Sequence, residues 1–542
     1  MADSYAIPLQ TEHAGDGCVS SNFTLTPMSD TSHLTLRIPP NNIVPVIFVP
    51  GIMGSNLVSK DGKSQVWPAF SSSRLATRWA FRSASSREDA LSSDVTALDH
   101  NGPWFGYSAT VGNESEGLAR GQGTVSKEFY GNFVVWLDNA LNGNQTILGP
   151  TNPWFPFVAS HNESSAWYPE KKFDPMMPRE AIDAWSKYWC PVYAQGYNWT
   201  RTTAENGRLL AAKIKEIINY WSSRPHKPVC EKVILVSHSM GGLVCRAAIG
   251  HDDDKLLGNA SDKVAGIVHG VQPATGAPAA YHHCHRGYEG KTGFVLGDSG
   301  EKVSAVFANC PGAIELLPNQ LYTVNGKKGW LKASISSSVP VANFSIPLAD
   351  PYKEIYAKRT RWFRLMNPAY VDPSNRYGSN DAAWGVFMAN LQVAQDFHYA
   401  LQAQYHPNTY VTYGADTAYP TWNTITWKGW AAADGGLSPT DLQNADVHFV
   451  DDKFTVIRSA SGKGGASLKV PNAEDLGNGE IGDGTVAASS GEAPFKDGGV
   501  NVKQSFRMRG FEHQGEYNNE NVRMATLYAI GKILSSLASE QG

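Results

Sequence analysis

"VILVSHSMGGLVCRAAIG", residues 233–250, decides how the chain is read. Val233 to Val236 are apolar at every position, the pattern of a strand buried on both faces rather than on one. Ser237, His238, Ser239 and Met240 interrupt it, and Gly241 and Gly242 then open a second apolar run to Ile249 with the composition of a helix. A buried strand that passes into a helix through so few residues must turn sharply, and such a turn holds a serine side chain clear of the sheet. Gly241 supplies the small residue that the turn needs two positions after Ser239. Two positions before it, where glycine is usual, stands Ser237.

The flanking segments repeat the theme. "NNIVPVIFVPGIMGSNL" contains a β-branched strand, Val44 to Val49, that ends in Pro-Gly. "PVYAQGYNWT" ends another strand and leads into "TAENGRLLAAKIKEIINYW", where Leu210, Ile214, Ile217 or Ile218 and Trp221 fall at helical spacing and Thr203 or Asn206 is placed to cap. After the Ser239 unit, "VAGIVHGV" gives a strand ending in "QPATGAP". Strand and helix alternate, which implies right-handed crossovers and a mostly parallel sheet with helices on both faces. Farther on, "AQDFHYALQAQYHPNTYVTYG" reads as a helix entering a strand at 410–413, "VNVKQSFRMRG" as an edge strand, and Val522, Met524, Leu527, Ile530 and Leu534 as the apolar face of a last helix.

The expected organisation is an α/β fold with a polar, Pro/Thr-rich arm at 1–40 and a core at 41–275 and 401–542. A long insertion at about 60–190 interrupts the core, and a cap or lid spans 276–400.

Composition excludes several classes. A formal net charge of −4 and the lack of a basic block give no pull toward nucleic acid. No apolar stretch approaches the roughly 18 residues that span a bilayer, and "MADSYAIPLQTEHAGDGC" lacks the basic start and apolar core of a secretory signal. The expectation is a soluble product made in the cytoplasm without a cleaved signal peptide. Six scattered cysteines with no CxxC pair fit neither a zinc ribbon nor a dense disulfide scaffold. In "YHHCHRGYEG", His282, His283, Cys284 and His285 are too compressed to converge on one ion and read as a polar cap loop. "SGKGGAS" lacks phosphate-loop spacing and reads as a flexible loop. No metal, nucleotide or redox cofactor is called for.

A serine hydroxyl becomes a nucleophile only with a base to take its proton, a group to orient that base and donors for the developing oxyanion. The N–H of Met240, at the start of the following helix, is placed to be the first donor. The loop "PGIMGS" leaves the same sheet edge, so the N–H of Ile52 or Met53 is the candidate second donor. In sheets of this kind the order along the chain is serine, acid, histidine. His513 follows the last strand and can reach back over the sheet edge. Asp483, in the Gly-flanked "IGDGTV", precedes it, with Asp434 and Asp416 as alternatives. His238 and His269, beside strand ends, read as structural hydrogen-bonding residues. Trp104, Phe105, Trp154, Phe155 and Phe157 in the long insertion suit a lid over an acyl-chain pocket, which favours a long-chain lipid over a small ester.

Together "PVIFVPGIMGSNL", "YNW" before a helix, "SHSMGGLV", "ELLP", "GDGTV" and a late histidine resemble the lecithin:cholesterol acyltransferase and lysosomal phospholipase A group of α/β-hydrolases over roughly 43–58, 193–275, 311–318 and 406–542. The resemblance implies catalytic roles for Ser239, Asp483 and His513, an oxyanion role for the 50–55 loop, and hydrolysis of lipid or phospholipid acyl esters at a membrane surface. Acyl transfer to an alcohol is the alternative chemistry, and a catalytically silent partner-binding fold is the alternative of another class. The signal peptide and lid disulfides of the group's animal members are missing. In size and in its Pro/Thr-rich arm before "IFVPGIMGS" the chain is similar to bacterial phospholipase effectors delivered by type VI secretion. That likeness implies export by a non-classical route to the periplasm of target cells, a component of the secretion apparatus and a cognate immunity protein as partners, and a toxic role.

Overall fold

The computed structural model describes the chain from residue 12 to residue 540 except 14–18, 24–33, 39–40, 68–72, 144–164, 179, 181–186, 251–255, 290–292, 337–343, 432–436, 451–454, 459–463, 473–474 and 477–479. Its centre is a six-stranded sheet. The strands are β1 (Val46–Val49), β2 (Val192–Ala194), β3 (Val233–His238), β4 (Val264–Gly270), β7 (Thr409–Gly414) and β12 (Val502–Met508), in spatial order β12-β7-β4-β3-β1-β2. Every pairing in it is parallel. β12 is an edge strand, as its sequence suggests.

The apolar runs explain why this sheet is buried on both faces. Along β1, Val46 and Phe48 face one core with Val192, Ile234 and Val236, while Ile47 and Val49 face another with Tyr193, Val233 and Leu235. The first core is closed by helices α1 (Asn132–Asn142) and α6 (Glu520–Glu540), the second by α2 (Thr203–Ser222) and α3 (Gly241–Ile249). Thr202 caps α2, its hydroxyl accepting the Ala204 N–H, one residue before the earlier of the two expected caps.

The cap is larger than the sequence suggests. Helices α4 (Pro278–Arg286) and α5 (Asn380–Leu401) pack with a second six-stranded sheet of order β6-β5-β8-β11-β10-β9. Its strands are β5 (Leu331–Ser336), β6 (Phe344–Ile346), β8 (Ile425–Ala431), β9 (Asp446–Val450), β10 (Thr455–Arg458) and β11 (Gly465–Lys469). Residues 425–469 therefore leave the core that was expected to run unbroken from 401 to 542. The chain visits the main sheet at β7, pairs β8 with β5 in the cap, and returns for β12. The physical reason lies in β8, whose side chains alternate buried and exposed, the signature of a strand covered on one face only.

Two local expectations also change. "YHHCHR" is no loop but the body of α4, where Pro278 opens the helix and Ala279, Ala280, Tyr281 and Cys284 face the cap core. "SGKGGAS" lies in part outside the described residues, and Gly465 to Ser467 begin β11. In the N-terminal arm, the described residues form a small antiparallel sheet over Glu12–His13, Val19–Phe23 and Leu34–Ile38.

Candidate active site

Ser239 sits at the sharp turn between β3 and α3 with φ +52°, a left-handed conformation that costs a non-glycine residue on the order of 1–2 kcal/mol. The turn is held from both sides. The Ser239 N–H donates to Gly270 O at 2.8 Å, while Gly241 lies so close to β1 that an added Cβ would meet the Val49 and Pro50 carbonyl oxygens at 2.4 Å. Ser237, at the preceding small-residue position, is fully buried, and its hydroxyl pairs with His269 Nδ1 at 2.9 Å.

His513 and Asp483 meet this serine. His513 Nε2 lies 2.9 Å from Ser239 Oγ, and His513 Nδ1 lies 2.8 Å from Asp483 Oδ2. The backbone joins in, the His513 N–H donating to Asp483 O at 2.8 Å. The other carboxylate oxygen of Asp483 accepts the N–H groups of Thr485 (3.0 Å) and Val486 (2.7 Å), so the acid is fixed before it touches the imidazole. Asp483 packs against the end of β7, where an added Cβ on Gly414 would meet its Cβ at 2.6 Å. An ionised carboxylate only accepts, so it keeps the proton of His513 on Nδ1 and leaves Nε2 free to accept the Ser239 hydroxyl.

The two alternative acids fare differently. Asp434 lies outside the described residues. Asp416 spends its oxygens on the Ala418 and Gly510 N–H groups, which hold its carboxyl below the usual carboxylate range, and it has no bond to His513.

The proposed donors occupy the expected loops. Met240 is fully buried at the N-terminus of α3. Ile52 and Met53 lie in a turn closed by Gly54 N–H to Gly51 O at 3.1 Å, with Met53 at φ +63° and its carbonyl accepting from Trp67 Nε1 at 2.6 Å. Among the described residues, no backbone carbonyl accepts the Met240, Ile52 or Met53 N–H.

A cavity of 630 Å³ opens beside Ser239 and His513, lined mainly by apolar groups that include Trp67, Trp79, Leu91, Leu296, Phe307 and Leu316. This lies within the roughly 300–1,000 Å³ of ligand pockets. Of the aromatics singled out from sequence, Phe105 packs in the core under α1 and Trp104 edge-on against Tyr107, so neither lines the cavity; Trp154, Phe155 and Phe157 lie outside the described residues. Of the compressed histidines, His282 stacks on Trp422 and donates from Nε2 to Pro471 O, and His285 donates from Nε2 to Arg364 O; burial pushes both down, to about 4 and about 3. Among the described residues, no group of histidine, cysteine and acidic side chains could hold a metal ion, and no helix is long and apolar enough to cross a membrane.

Sequence reading misses the cavity tryptophans and Tyr130. Tyr130 stands in the helical turn Lys127–Gly131 just before α1, inside the long insertion, with its hydroxyl 2.9 Å from His238 Nδ1. No local pattern marks these residues, because their neighbours are brought up by the fold from other parts of the chain.

Comparison with known proteins places the chain by family and fold. The family described as "PGAP1-like alpha/beta domain" matches residues 196–291, the segment that contains Ser239. A chain of the structure titled "The crystal structure of Tle4-Tli4 complex" superposes with a TM-score of 0.73 at 31% identity, covering 91% of this chain and 98% of that one. The mature form of Bacillus licheniformis lipase BlEst2 shares 24% identity over 28% of this chain and 58% of that one, but its TM-score of 0.16 supports no conclusion. Among curated proteins no sequence matches.

Proposed function

Since the chain belongs to the Tle4 family of α/β-hydrolases, we propose that it is a serine phospholipase that cleaves lipid acyl esters through Ser239, His513 and Asp483. The observation that carries this reading is the unbroken line from Asp483 through His513 to Ser239, opening on a largely apolar cavity. His513 Nε2 takes the hydroxyl proton as Ser239 Oγ attacks the ester carbonyl. Asp483 stabilises the imidazolium, and the N–H of Met240 with that of Ile52 or Met53 holds the tetrahedral oxyanion. The proton then passes to the leaving alcohol, an acyl-serine remains, and a water activated by the same His513 releases the fatty acid.

The family membership also supports a role as a type VI secretion effector acting on the membranes of target cells. The matched structure is of a Tle4–Tli4 complex, and for this chain we propose a dedicated immunity protein that closes the mouth of the cap. Ser239→Ala is the test of the chemistry. It should keep the thermal unfolding profile and lose hydrolysis of phospholipid vesicles and of short-chain esters alike. Full activity in that variant overturns the assignment, and turnover of short esters with intact vesicles overturns the phospholipid as substrate.

A further inference from the structure

We propose that Tyr130 and His238 form a positioning relay that locks the oxyanion loop at Gly51 to the backbone of the base at His513, so that a residue of the long insertion tunes hydrolysis at Ser239. The proposal rests on the serine-hydrolase reading above. His238 stands beside Ser239 in the chain, yet it makes no contact with Asp483 and takes no part in the proton transfers. Its ring instead spans two loops. Nε2 lies 2.9 Å from the carbonyl oxygen of His513, and Nδ1 lies 2.9 Å from the hydroxyl of Tyr130, whose oxygen is 3.2 Å from the Gly51 N–H.

The direction of every bond follows from the first. A carbonyl oxygen only accepts, so His238 Nε2 carries the proton and Nδ1 of the neutral ring accepts. The Tyr130 hydroxyl must then donate to Nδ1, which leaves its oxygen free to accept the Gly51 N–H. One tautomer satisfies all three bonds, with no donor facing a donor. Burial keeps it so: Tyr130 and His238 are each 1% exposed, and burial, with the neighbouring His513, pushes His238 down to about 3.

The relay is also tight. An added Cβ on Gly51 would meet His238 Nδ1 at 2.8 Å and Ser239 Cβ at 3.0 Å, and one on Gly54 would meet the Tyr130 ring at 2.7 Å. The Tyr130 ring is wedged against Phe48 at 5.0 Å between centroids. Gly51 thus gives its own N–H to Tyr130, and the peptide planes that follow, with the N–H groups of Ile52 and Met53, are set by that anchor. At the other end His513 is gripped on both sides of its residue: its N–H is held by Asp483 O and its carbonyl by His238. Nucleophile, base and oxyanion loop therefore share one frame, fixed from outside by a tyrosine that touches none of the reacting atoms.

Tyr130→Phe removes one oxygen and keeps the ring. His238→Gln keeps an N–H in reach of the His513 carbonyl and gives up the tyrosine. Each variant is assayed with a soluble short-chain ester, with active sites counted by a fluorophosphonate, beside the double variant and thermal unfolding. Because misplacement by about 1 Å costs on the order of 100-fold, Tyr130→Phe should lower kcat per counted site roughly 10- to 100-fold with KM within about twofold, and the fluorophosphonate labelling rate should fall in parallel. The double variant should be no slower than the slower single one, since both break the same link. A merely structural role would lower the melting temperature or the fraction of active sites and leave kcat per site intact. That result, or multiplicative effects in the double variant, overturns the relay, and either single variant suffices if the other does not fold. An inactive Ser239→Ala beside a fully active Tyr130→Phe refutes the relay alone, whereas an active Ser239→Ala refutes the hydrolase reading on which it rests.

Discussion

Asp483→Asn isolates the role of the acid, because the structure dictates how the amide must sit. Thr485 and Val486 both present N–H groups to one side-chain oxygen, at 3.0 and 2.7 Å. An asparagine therefore keeps its carbonyl oxygen there and turns its NH2 toward His513 Nδ1. Two donors cannot face each other, so the histidine proton moves to Nε2, the atom 2.9 Å from Ser239 Oγ. The base now presents a proton where it must accept one. Wrong-tautomer substitutions of this kind cost up to about 10⁴ in kcat, or about 5.5 kcal/mol at ~1.4 kcal/mol per factor of ten. Packing is unchanged, since the side chain keeps its volume in a site where Asp483 is 1% exposed. The assay is steady-state hydrolysis of a short-chain ester beside thermal unfolding. A fall of 10³ or more in kcat, with KM and the melting temperature close to wild type, is expected. A fall of less than tenfold in a folded variant would refute the argument.

Other perturbations probe the surroundings. Ser237→Gly should retain hydrolysis but lose about 1–3 kcal/mol of stability in denaturant titration, because it strands the buried His269 Nδ1, whereas Ser237→Leu should displace the turn and abolish activity; a Leu variant with normal kcat would contradict the tight turn. Gly241→Ala should lower both stability, by about 1–3 kcal/mol, and the rate of fluorophosphonate labelling, since its methyl group meets backbone oxygens of β1 rather than side chains that can yield. Glu315, fully buried in the cap, is raised by burial to about 7 from 4.5 despite hydrogen bonds from Thr202 and Thr203. The folded chain therefore holds a proton that the unfolded chain has released between pH 4.5 and 7, so this group's stabilising contribution is full below pH 4.5 and lost as the pH rises through 7. Glu315→Gln should flatten that part of the stability profile, by up to roughly 3 kcal/mol across the window, and an unchanged slope would show that the carboxyl titrates normally.

What could be read from sequence follows from how locally each feature is specified. The strands of the main sheet are covered on both faces, so Val233–Val236 and Val264–Val268 carry their assignment in their own composition. Ser239 is betrayed by the small residues that its turn demands, and Asp483 and His513 by their place after successive chain segments. Met240 and the Ile52–Met53 turn follow from the same strand ends. The cap sheet is less legible because β8 pairs with β5, nearly a hundred residues earlier, and nothing in "ITWKGWA" names that partner. In α4 the run of polar side chains masks the helix, since His282 and His285 find their partners in the distant Pro471 and Arg364 carbonyls. Tyr130 is invisible for the same reason: one hydroxyl in an insertion gains its meaning only from a histidine 108 residues away.

The route of the chain through its two sheets sets an order on biosynthesis. The turn that carries Ser239 has emerged by residue 250, but β12 is the last strand of the main sheet and His513 follows it. Between them come all six strands of the cap sheet and the loop of Asp483. A nascent polypeptide on the ribosome thus carries Ser239 long before it carries His513, the proposed base, and the cap sheet is made before that residue emerges. On the chemistry proposed above, the sequence of synthesis is itself a delay: a fragment ending short of residue 513 lacks the base that Ser239 needs.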